Sequence, residues 1–304
     1  MRVVTKPGPA SCSRTSGADP GTVKTGTPVQ TILRSLLIAA AWLCWDVPFA
    51  PAQQGLNFSF QPVAGFDAAA NRKALWMKGE VAEGDLGRLL QFLREHPRDF
   101  VEHGGRVIFV VDGGDVVEAT RIGHFLRDAL IEAWLPDASR TRCISACFFM
   151  FVNAVSRIAV ADSVGVHRPY FDAGRLGGAD AETVRRRYES LMREVRDTLD
   201  ELLVPRDLTE KMLATPWNDT YWLSREDLDR LGEAQAWFED FSAAKCGVEP
   251  RLKQRLESAV AAGFETEAQA LRTDFEGATK CIAELRNRQR RQVIEKLKID
   301  PANR

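Results

Sequence analysis

The stretch from Arg140 to Pro169, RTRCISACFFMFVNAVSRIAVADSVGVHRP, contains the features that decide the fold. Ser145 stands between two cysteines, directly before an apolar run without charges. A second apolar segment ends at His167, 22 positions after Ser145. A serine and a histidine in these positions are either a nucleophile with its base or two polar residues that border a hydrophobic core.

Upstream of this stretch, the segment RVIFVVDGGD at residues 106–115 has the pattern of a buried strand. Its apolar run ends in Gly113-Gly114 and is followed by a helical pattern of apolar residues. A short apolar run that ends in glycines before a helix is typical of an α/β sheet. Further strands are predicted near residues 73–81 and 133–135. The predicted fold class is therefore α/β, with helices packed against a mixed sheet.

Downstream, the sequence continues in alternating elements. The segments SRIAV (156–160) and SVGVH (163–167) predict a last pair of strands. Residues 181–203 have apolar side chains every three or four positions opposite a charged face, which predicts a long amphipathic helix. A short helix is expected at residues 208–215. The segment TYWLSREDLDRLGEAQAW (220–237) predicts a strand, a helix and a second strand.

A serine that acts as a nucleophile requires particular neighbouring groups, and these can be sought around Ser145. Serine needs a base within hydrogen-bond reach, a group that orients this base, and donors for the developing oxyanion. Ser145 opens a helix, so the N–H of Ala146 can face an oxyanion at the positive end of the helix. The N–H groups of Gly113 and Gly114 can approach a substrate closely, and His167 ends a strand. Each residue also has an ordinary explanation, because a serine at a helix start is commonly an N-cap.

The order of these elements resembles the proteolytic subunit of the Clp protease, within the ClpP/crotonase superfamily. The shared order is an apolar strand, Gly-Gly, a helix, a strand, a small-Ser-Ala helix, strands that end in histidine, a long helix and D-x-x-x-L-S-x-x-[DE]. Exported bacterial Clp-like proteins that carry C-x-S-A-C around the serine are more similar still. The resemblance covers Lys73 to Phe238 and implies a repeated ββα spiral sheet with helices.

This resemblance also implies the members of a catalytic site. They are Ser145 as nucleophile, His167 as general base, Asp219 as the acid that orients it, and the N–H groups of Gly113, Gly114 and Ala146 as the oxyanion hole. The sequence departs from the family at two places. Val111-Asp112 replaces Ser-Pro before the glycines, and the gap between Asp219 and Leu223 is one residue longer, which leaves Asn218 as an alternative third member. Cys143 and Cys147 either form a disulfide or pack as small apolar residues; packing is expected.

The function predicted from these residues is that of a serine hydrolase, a peptidase acting on peptide or protein substrates. The alternative is a catalytically inactive Clp-like fold that acts as a binding or scaffold protein. A Ser–Lys pair is excluded because no lysine lies between Lys78 and Lys211. No cofactor is expected, and no metal, since His96, His103 and His124 are not at ligand spacing. The net charge of −1 does not suggest a nucleic-acid partner, and the resemblance leaves a homo-oligomer open.

Residues 1–52 have the pattern of an N-terminal extension with a signal peptide. The apolar segment Leu33–Trp45 is about a dozen residues long, within the roughly 7–15 of a signal-peptide core and short of the ~20 that span a membrane. Ala50 to Ala52 has the small-x-small form of a cleavage site. Export to the periplasm or medium is expected, with membrane contact only through this segment; the alternative is an uncleaved anchor. Residues 53–72 are interpreted as a polar leader.

The last segment, residues 245–304, has helical periodicity but few large apolar residues. It is predicted to form two or three helices as an appendage separable from an α/β domain at residues 73–244. Cys246 and Cys281 are disulfide candidates across these helices, and the alternative is two unpaired thiols. The basic run RNRQRRQ at residues 286–292 is expected to be a solvated helix face, with contact to an acidic surface or lipid as the other interpretation.

Overall fold

The computed structural model describes residues 55–63, 73–171, 178–249 and 251–299. The predicted signal peptide and its cleavage site lie outside these ranges, and so does part of the leader. Within the described ranges, no helix is both long enough and apolar enough to cross a membrane.

The chain has a mixed α/β fold whose described part contains one eight-stranded sheet. The strands are β1 (Asn57–Pro62), β2 (Lys73–Val81), β3 (Arg106–Gly114), β4 (Glu132–Leu135), β5 (Arg142–Ile144), β6 (Ser156–Ala159), β7 (Val164–Val166) and β8 (Tyr221–Trp222). The main path runs β1-β2-β3-β5-β7-β8, with antiparallel pairing at its two ends and parallel pairing between. The first residues of β3 pair instead with β4, which pairs with β6. The sheet therefore branches at β3.

Ten helices are described around this sheet. They are α1 (Asp85–Glu95), α2 (Pro97–His103), α3 (Val116–Asp128), α4 (Cys147–Asn153), α5 (Ala181–Glu201), α6 (Arg206–Ala214), α7 (Arg225–Leu231), α8 (Ala236–Cys246), α9 (Leu252–Ala261) and α10 (Glu265–Ile299). The predicted α/β alternation is observed from β2 to α7. The amphipathic segment at residues 181–203 is helical over nearly its whole length.

The largest hydrophobic core is centred on β3 and α4. Val107, Ile108, Phe109 and Val111 of β3 are fully buried, as expected for a parallel strand covered on both faces. All seven residues of α4 are buried, and each large apolar side chain among them contributes roughly 1.5–3 kcal/mol of burial free energy. The apolar run after Ser145 is therefore the central helix of the domain.

Two polar side chains bond to the carbonyl oxygens at the buried C-terminal end of α4. The two N–H bonds of Gln235 Nε2 are shared among the carbonyl oxygens of Val152, Asn153 and Ala154, at 3.1, 2.7 and 3.0 Å from the nitrogen. Arg157 donates to the carbonyl of Val152 at 3.2 Å. Burial lowers the pKa of Arg157 to about 10, so the guanidinium keeps its charge at neutral pH. Both side chains fix α4 within the fold.

Three local predictions differ from the structure. The segments after α4 are strands, but β6 and β7 pair with other strands and not with each other. The strand expected after α7 is a single bridge between Ser156 and Ala234, and the following residues form α8. The predicted polar leader contains β1, whose alternating Phe58 and Phe60 contact Phe92.

The C-terminal region contains α9 and α10, with a disulfide between Cys246 and Cys281. The described residues between 55 and 299 belong to one compact unit. Ile294 and Leu297 belong to the main hydrophobic core, so the far end of α10 lies against the α/β domain. Whether this region can be separated from the domain stays a prediction.

The expectation that residues 286–292 form a solvated face is wrong for two arginines. Arg290 is buried and donates to the carbonyl oxygen of Val101 at 3.2 Å. Arg286 bonds to buried Glu132 at 3.1 Å, and Glu132 also accepts from Arg106. Positions 286 and 290 lie four residues apart and therefore share one helix face, and this face contacts the domain.

Candidate active site

Three parallel strands bring the candidate residues to one edge of the sheet. Strand β5 pairs with β3 on one side and with β7 on the other. Strand β3 ends in Gly113-Gly114, Ser145 directly follows β5, and His167 directly follows β7. The carboxyl ends of parallel strands meet at one edge of the sheet, which is where α/β proteins commonly bind ligands.

Ser145 lies on a sharp turn between β5 and α4. Its φ angle is +56°, a left-handed conformation that costs a non-glycine residue roughly 1–2 kcal/mol. Two backbone hydrogen bonds hold the turn: Ser145 N donates to Gly165 O at 2.9 Å, and Phe148 N donates to Ser145 O at 2.9 Å. Ala146 precedes the first helical residue, so its N–H has no intrahelical acceptor. A strand–turn–helix of this kind can present the hydroxyl of its central residue.

The two glycines at the end of β3 lie in close contact with their neighbours. A Cβ atom on Gly114 would lie 2.1 Å from the carbonyl oxygen of Val81, so no larger residue fits there. A Cβ on Gly113 would lie 3.1 Å from Ser145 Cβ. Their φ angles of +125° and +122° are also in the range that favours glycine. The backbone of β3 thus runs directly beside the serine.

Cys143 and Cys147 form a disulfide across the Ser145 turn. This corrects the expectation that they pack as unpaired thiols. Their Cα atoms are 5.1 Å apart, within the range a disulfide requires, because the chain turns between them. Both cysteines are fully buried.

His167 has a defined ring orientation. Its Nδ1 lies 3.0 Å from the carbonyl oxygen of Arg168. A carbonyl oxygen only accepts hydrogen bonds, so we assign a proton to Nδ1, which in the neutral ring leaves Nε2 as the acceptor. This is the tautomer that a general base needs.

Ser145 and His167 line the same cavity, whose volume is about 750 Å³. Gly113 and Gly114 line it too, and its outer wall includes the exposed aromatic residues Tyr170 and Trp217. Their ring centroids are 5.1 Å apart. Among the described residues, no hydrogen bond joins Ser145 to His167. The volume is in the range of sites that hold small ligands or part of a larger one.

Asp112, which replaces a proline of the family pattern, is paired with Arg142. Arg142 Nε donates to Asp112 Oδ1, and Arg142 NH2 donates to Oδ2 at 2.8 Å. This pairing raises the pKa of Arg142. The guanidinium of Arg142 therefore offsets part of the negative charge that Asp112 brings to this edge of the sheet.

In the part of the chain that the structure describes, no hydrogen bond joins Asp219 to His167. Asp219 is exposed, it does not line the cavity, and its Oδ1 accepts from Thr220 N at 2.8 Å. Trp217 in the same loop does line the cavity. Neither Trp217 nor Tyr170 is predicted from the sequence as part of the site, although exposed aromatic residues beside a candidate site are a usable signal.

The remainder of the motif around Asp219 has a structural role. Ser224 and Asp227 form a capping box at the start of α7. Buried Asp227 also accepts from Lys211 Nζ and from Tyr221 OH, both at 2.7 Å. Burial alone raises the pKa of Asp227, but the hydrogen bonds from Lys211, Tyr221 and Ser224 outweigh it and bring the pKa well below its ordinary value.

Comparison with known proteins gives weak structural similarity. No family model matches the chain, and no curated protein matches it. Among solved structures, ClpP1 from Listeria monocytogenes is 16% identical at a TM-score of 0.33, over 53% of this chain and 88% of its own. A mutant of the 1510-N membrane-bound stomatin-specific protease is 12% identical at a TM-score of 0.35, over 58% and 84%. Since TM-scores of this size do not establish a common fold, the functional assignment depends on the site of this chain alone.

Proposed function

We propose that the chain is a serine hydrolase in which Ser145 is the nucleophile and His167 the general base. The observation that carries the proposal is the turn at Ser145. It holds a non-glycine residue at a φ of +56° beside the Gly113 backbone, in a cavity that also contains His167. Strained backbone of this kind is concentrated at functional sites.

The proposed mechanism uses groups already present at the cavity. Nε2 of His167 takes the proton of Ser145 Oγ as the hydroxyl attacks a substrate carbonyl. The N–H of Ala146, with that of Gly113 or Gly114, donates to the oxyanion that forms. His167 then gives the proton to the leaving group, and a water molecule releases the acyl group from the serine by the same route.

The orienting group for His167 is open to two assignments. The motif resemblance predicts Asp219 in this role. The hydrogen bond from Nδ1 to the Arg168 carbonyl supplies an alternative that needs no acidic side chain. Peptides are proposed as substrates, and export as the cellular context, on the motif resemblance and the signal-peptide pattern of residues 1–52.

A binding or scaffold protein is the second candidate. It is favoured by the absence of a Ser145–His167 hydrogen bond among the described residues and by the exposure of Asp219. In apo sites, however, catalytic hydrogen bonds are often long and tighten only with substrate.

The deciding experiment is covalent labelling of the purified full chain with a fluorophosphonate probe. We expect one adduct, on a peptide that contains Ser145, and none in Ser145→Ala. Ser139→Ala is the matched control, because Ser139 is exposed and its hydroxyl bonds to Asp137 away from the cavity. An unlabelled, folded wild-type chain would leave the binding protein as the better assignment.

A further inference from the structure

We propose that the Cys143–Cys147 disulfide is a positioning device for Ser145, which fixes the turn that presents the nucleophile. This inference rests on the proposed function, because it requires that Ser145 reacts. The disulfide and the serine are parts of one loop of five residues, Cys143 to Cys147, with Ser145 at its centre. No other disulfide in the described part of the chain approaches the cavity.

The geometry of the loop explains how the disulfide acts. An extended strand over the same span would separate its end Cα atoms by roughly 13 Å, at about 3.3 Å per residue, whereas the observed separation is 5.1 Å. Residues Arg142–Ile144 are already held as a strand between β3 and β7. The chain must therefore reverse at Ser145 and Ala146, and the disulfide excludes continuation of β5 through the serine.

The backbone of Ser145 needs such a restraint. A non-glycine residue keeps a left-handed φ only where its surroundings over-determine it. A glycine would adopt this conformation without cost, but it would have no hydroxyl. Two backbone hydrogen bonds, to Gly165 and from Phe148, hold the turn from outside the loop. The disulfide restrains it from within, at the two residues that flank the Ile144–Ala146 segment.

A purely stabilising role fits this disulfide less well. Disulfides stabilise mainly through the length of chain they close, and by this measure a loop of five residues contributes about half as much as the separation of 35 between Cys246 and Cys281. Both Cys143 and Cys147 are fully buried, so a reductant reaches them only after local opening. These features favour a permanent restraint over a redox switch.

The test compares the removal of each disulfide. In the full chain, Cys143→Ala with Cys147→Ala is expected to lower the second-order rate of fluorophosphonate labelling at Ser145 by at least about tenfold. It should lower kcat for a small ester with little change in KM, because binding at the outer wall remains. The matched control, Cys246→Ala with Cys281→Ala, is expected to label at the wild-type rate although it loses more thermal stability.

The outcomes separate this inference from the proposed function. An unlabelled wild type overturns both. A labelled wild type with equal rates in both double variants overturns the positioning role alone. Should the Cys143→Ala, Cys147→Ala chain fail to fold, the control variant is treated with graded reductant and its alkylated Cys143 and Cys147 peptides are counted by mass spectrometry. Labelling that falls with the reduced fraction, at constant circular dichroism, supports the inference; labelling that stays constant overturns it.

Discussion

At the scale of single residues, the tautomer of His167 is the feature with the most direct chemical consequence. The contact with the Arg168 carbonyl assigns a proton to Nδ1, and in the neutral ring this leaves Nε2 as the acceptor that a general base needs. Ser145 and His167 lie at the ends of adjacent strands and share a cavity. In the proposed mechanism their roles are coupled, because the serine needs the base to lose its proton and the base takes that proton from the serine.

The first prediction concerns this coupling. Ser145→Ala and His167→Ala should each lower the rate of ester or peptide hydrolysis by several orders of magnitude. The double variant should lose little more, because a nucleophile and its base act as one unit. Initial rates with purified chains test this. Additive losses would mean that the two residues act independently.

Asp219 gives a second prediction, because two groups compete for the orienting role. If the Arg168 carbonyl orients His167, Asp219→Asn should change kcat by less than about tenfold. If Asp219 orients the imidazole, the same substitution should lower kcat by up to about 10⁴-fold, as expected when the wrong tautomer is favoured. Asp240→Asn, at an exposed position outside the cavity lining, is the control.

At the scale of elements, the start of α7 contains a buried charged residue, Asp227. The low pKa of Asp227 means that the folded state prefers the ionised carboxylate. Its contribution to stability is present above the ordinary aspartate pKa of about 4 and is lost as the pH falls below that value. The hydrogen bond to Asp227 raises the pKa of Lys211, so the contribution of Lys211 is lost only in strongly basic solution.

The third prediction follows from the lowered pKa of Asp227. Asp227→Asn should lower the midpoint of urea unfolding at pH 7, because Lys211 and Tyr221 lose a charged acceptor. The difference between the variant and the wild type should shrink as the pH falls below about 4, because the carboxyl group of the unfolded wild-type chain then binds a proton that the folded chain resists. Urea titrations at several pH values measure it, and a pH-independent difference would contradict the assignment.

The elements differ in how far the sequence predicts them. The strand before Gly113-Gly114 and the long helix at residues 181–203 carry local periodicity, and both were predicted. Pairing of β6 with β4 was not, because strand partners are set by contacts distant in sequence. The burial of Arg290 was also missed, since a basic run is usually solvated and only its contact with Val101 makes it otherwise.

The sequence predicts which residues belong to the candidate site but only part of their spatial arrangement. Strand ends and glycines located Ser145 and His167, because the ends of parallel strands converge. The ring orientation of His167 depends on a backbone contact with the adjacent residue, which no side-chain pattern encodes. The Cys143–Cys147 disulfide was missed because a spacing of four fits a bond only when the chain turns sharply between the cysteines.

At the scale of the whole molecule, the C-terminal helices are attached at several places. The Cys246–Cys281 disulfide joins α8 to the middle of α10, and the ion pair between buried Glu132 and Arg286 joins α10 to β4. The bond of Arg290 to Val101 and the core packing of Ile294 and Leu297 add further contacts. The fourth prediction is that Cys246→Ala with Cys281→Ala lowers the free energy of unfolding by roughly 3–4 kcal/mol, the value expected for a loop of this length. Chemical unfolding tests this; a loss below about 1 kcal/mol would contradict it.

The fifth prediction concerns a chain that ends at residue 244. The low apolar content of the following region predicts that this shortened chain still unfolds cooperatively. Its Tm should be lower than that of the full chain. The surfaces of the domain that contact Ile294, Leu297 and Arg290 in the full chain become exposed to water when these residues are removed. Calorimetry of the two chains gives the comparison. An insoluble or unfolded product would mean that the helices are an integral part of the domain core.

The bond between His167 and the main chain also has a genetic consequence. A side-chain acid can be deleted by one codon change, but the carbonyl oxygen of residue 168 is present whichever amino acid is encoded there. If Ser145 and His167 act as proposed, a library of random substitutions selected for hydrolysis should tolerate most changes at Arg168 and Asp219. It should tolerate almost none at the serine and the histidine. The third member of the catalytic set would then be free to drift in sequence while the activity persists.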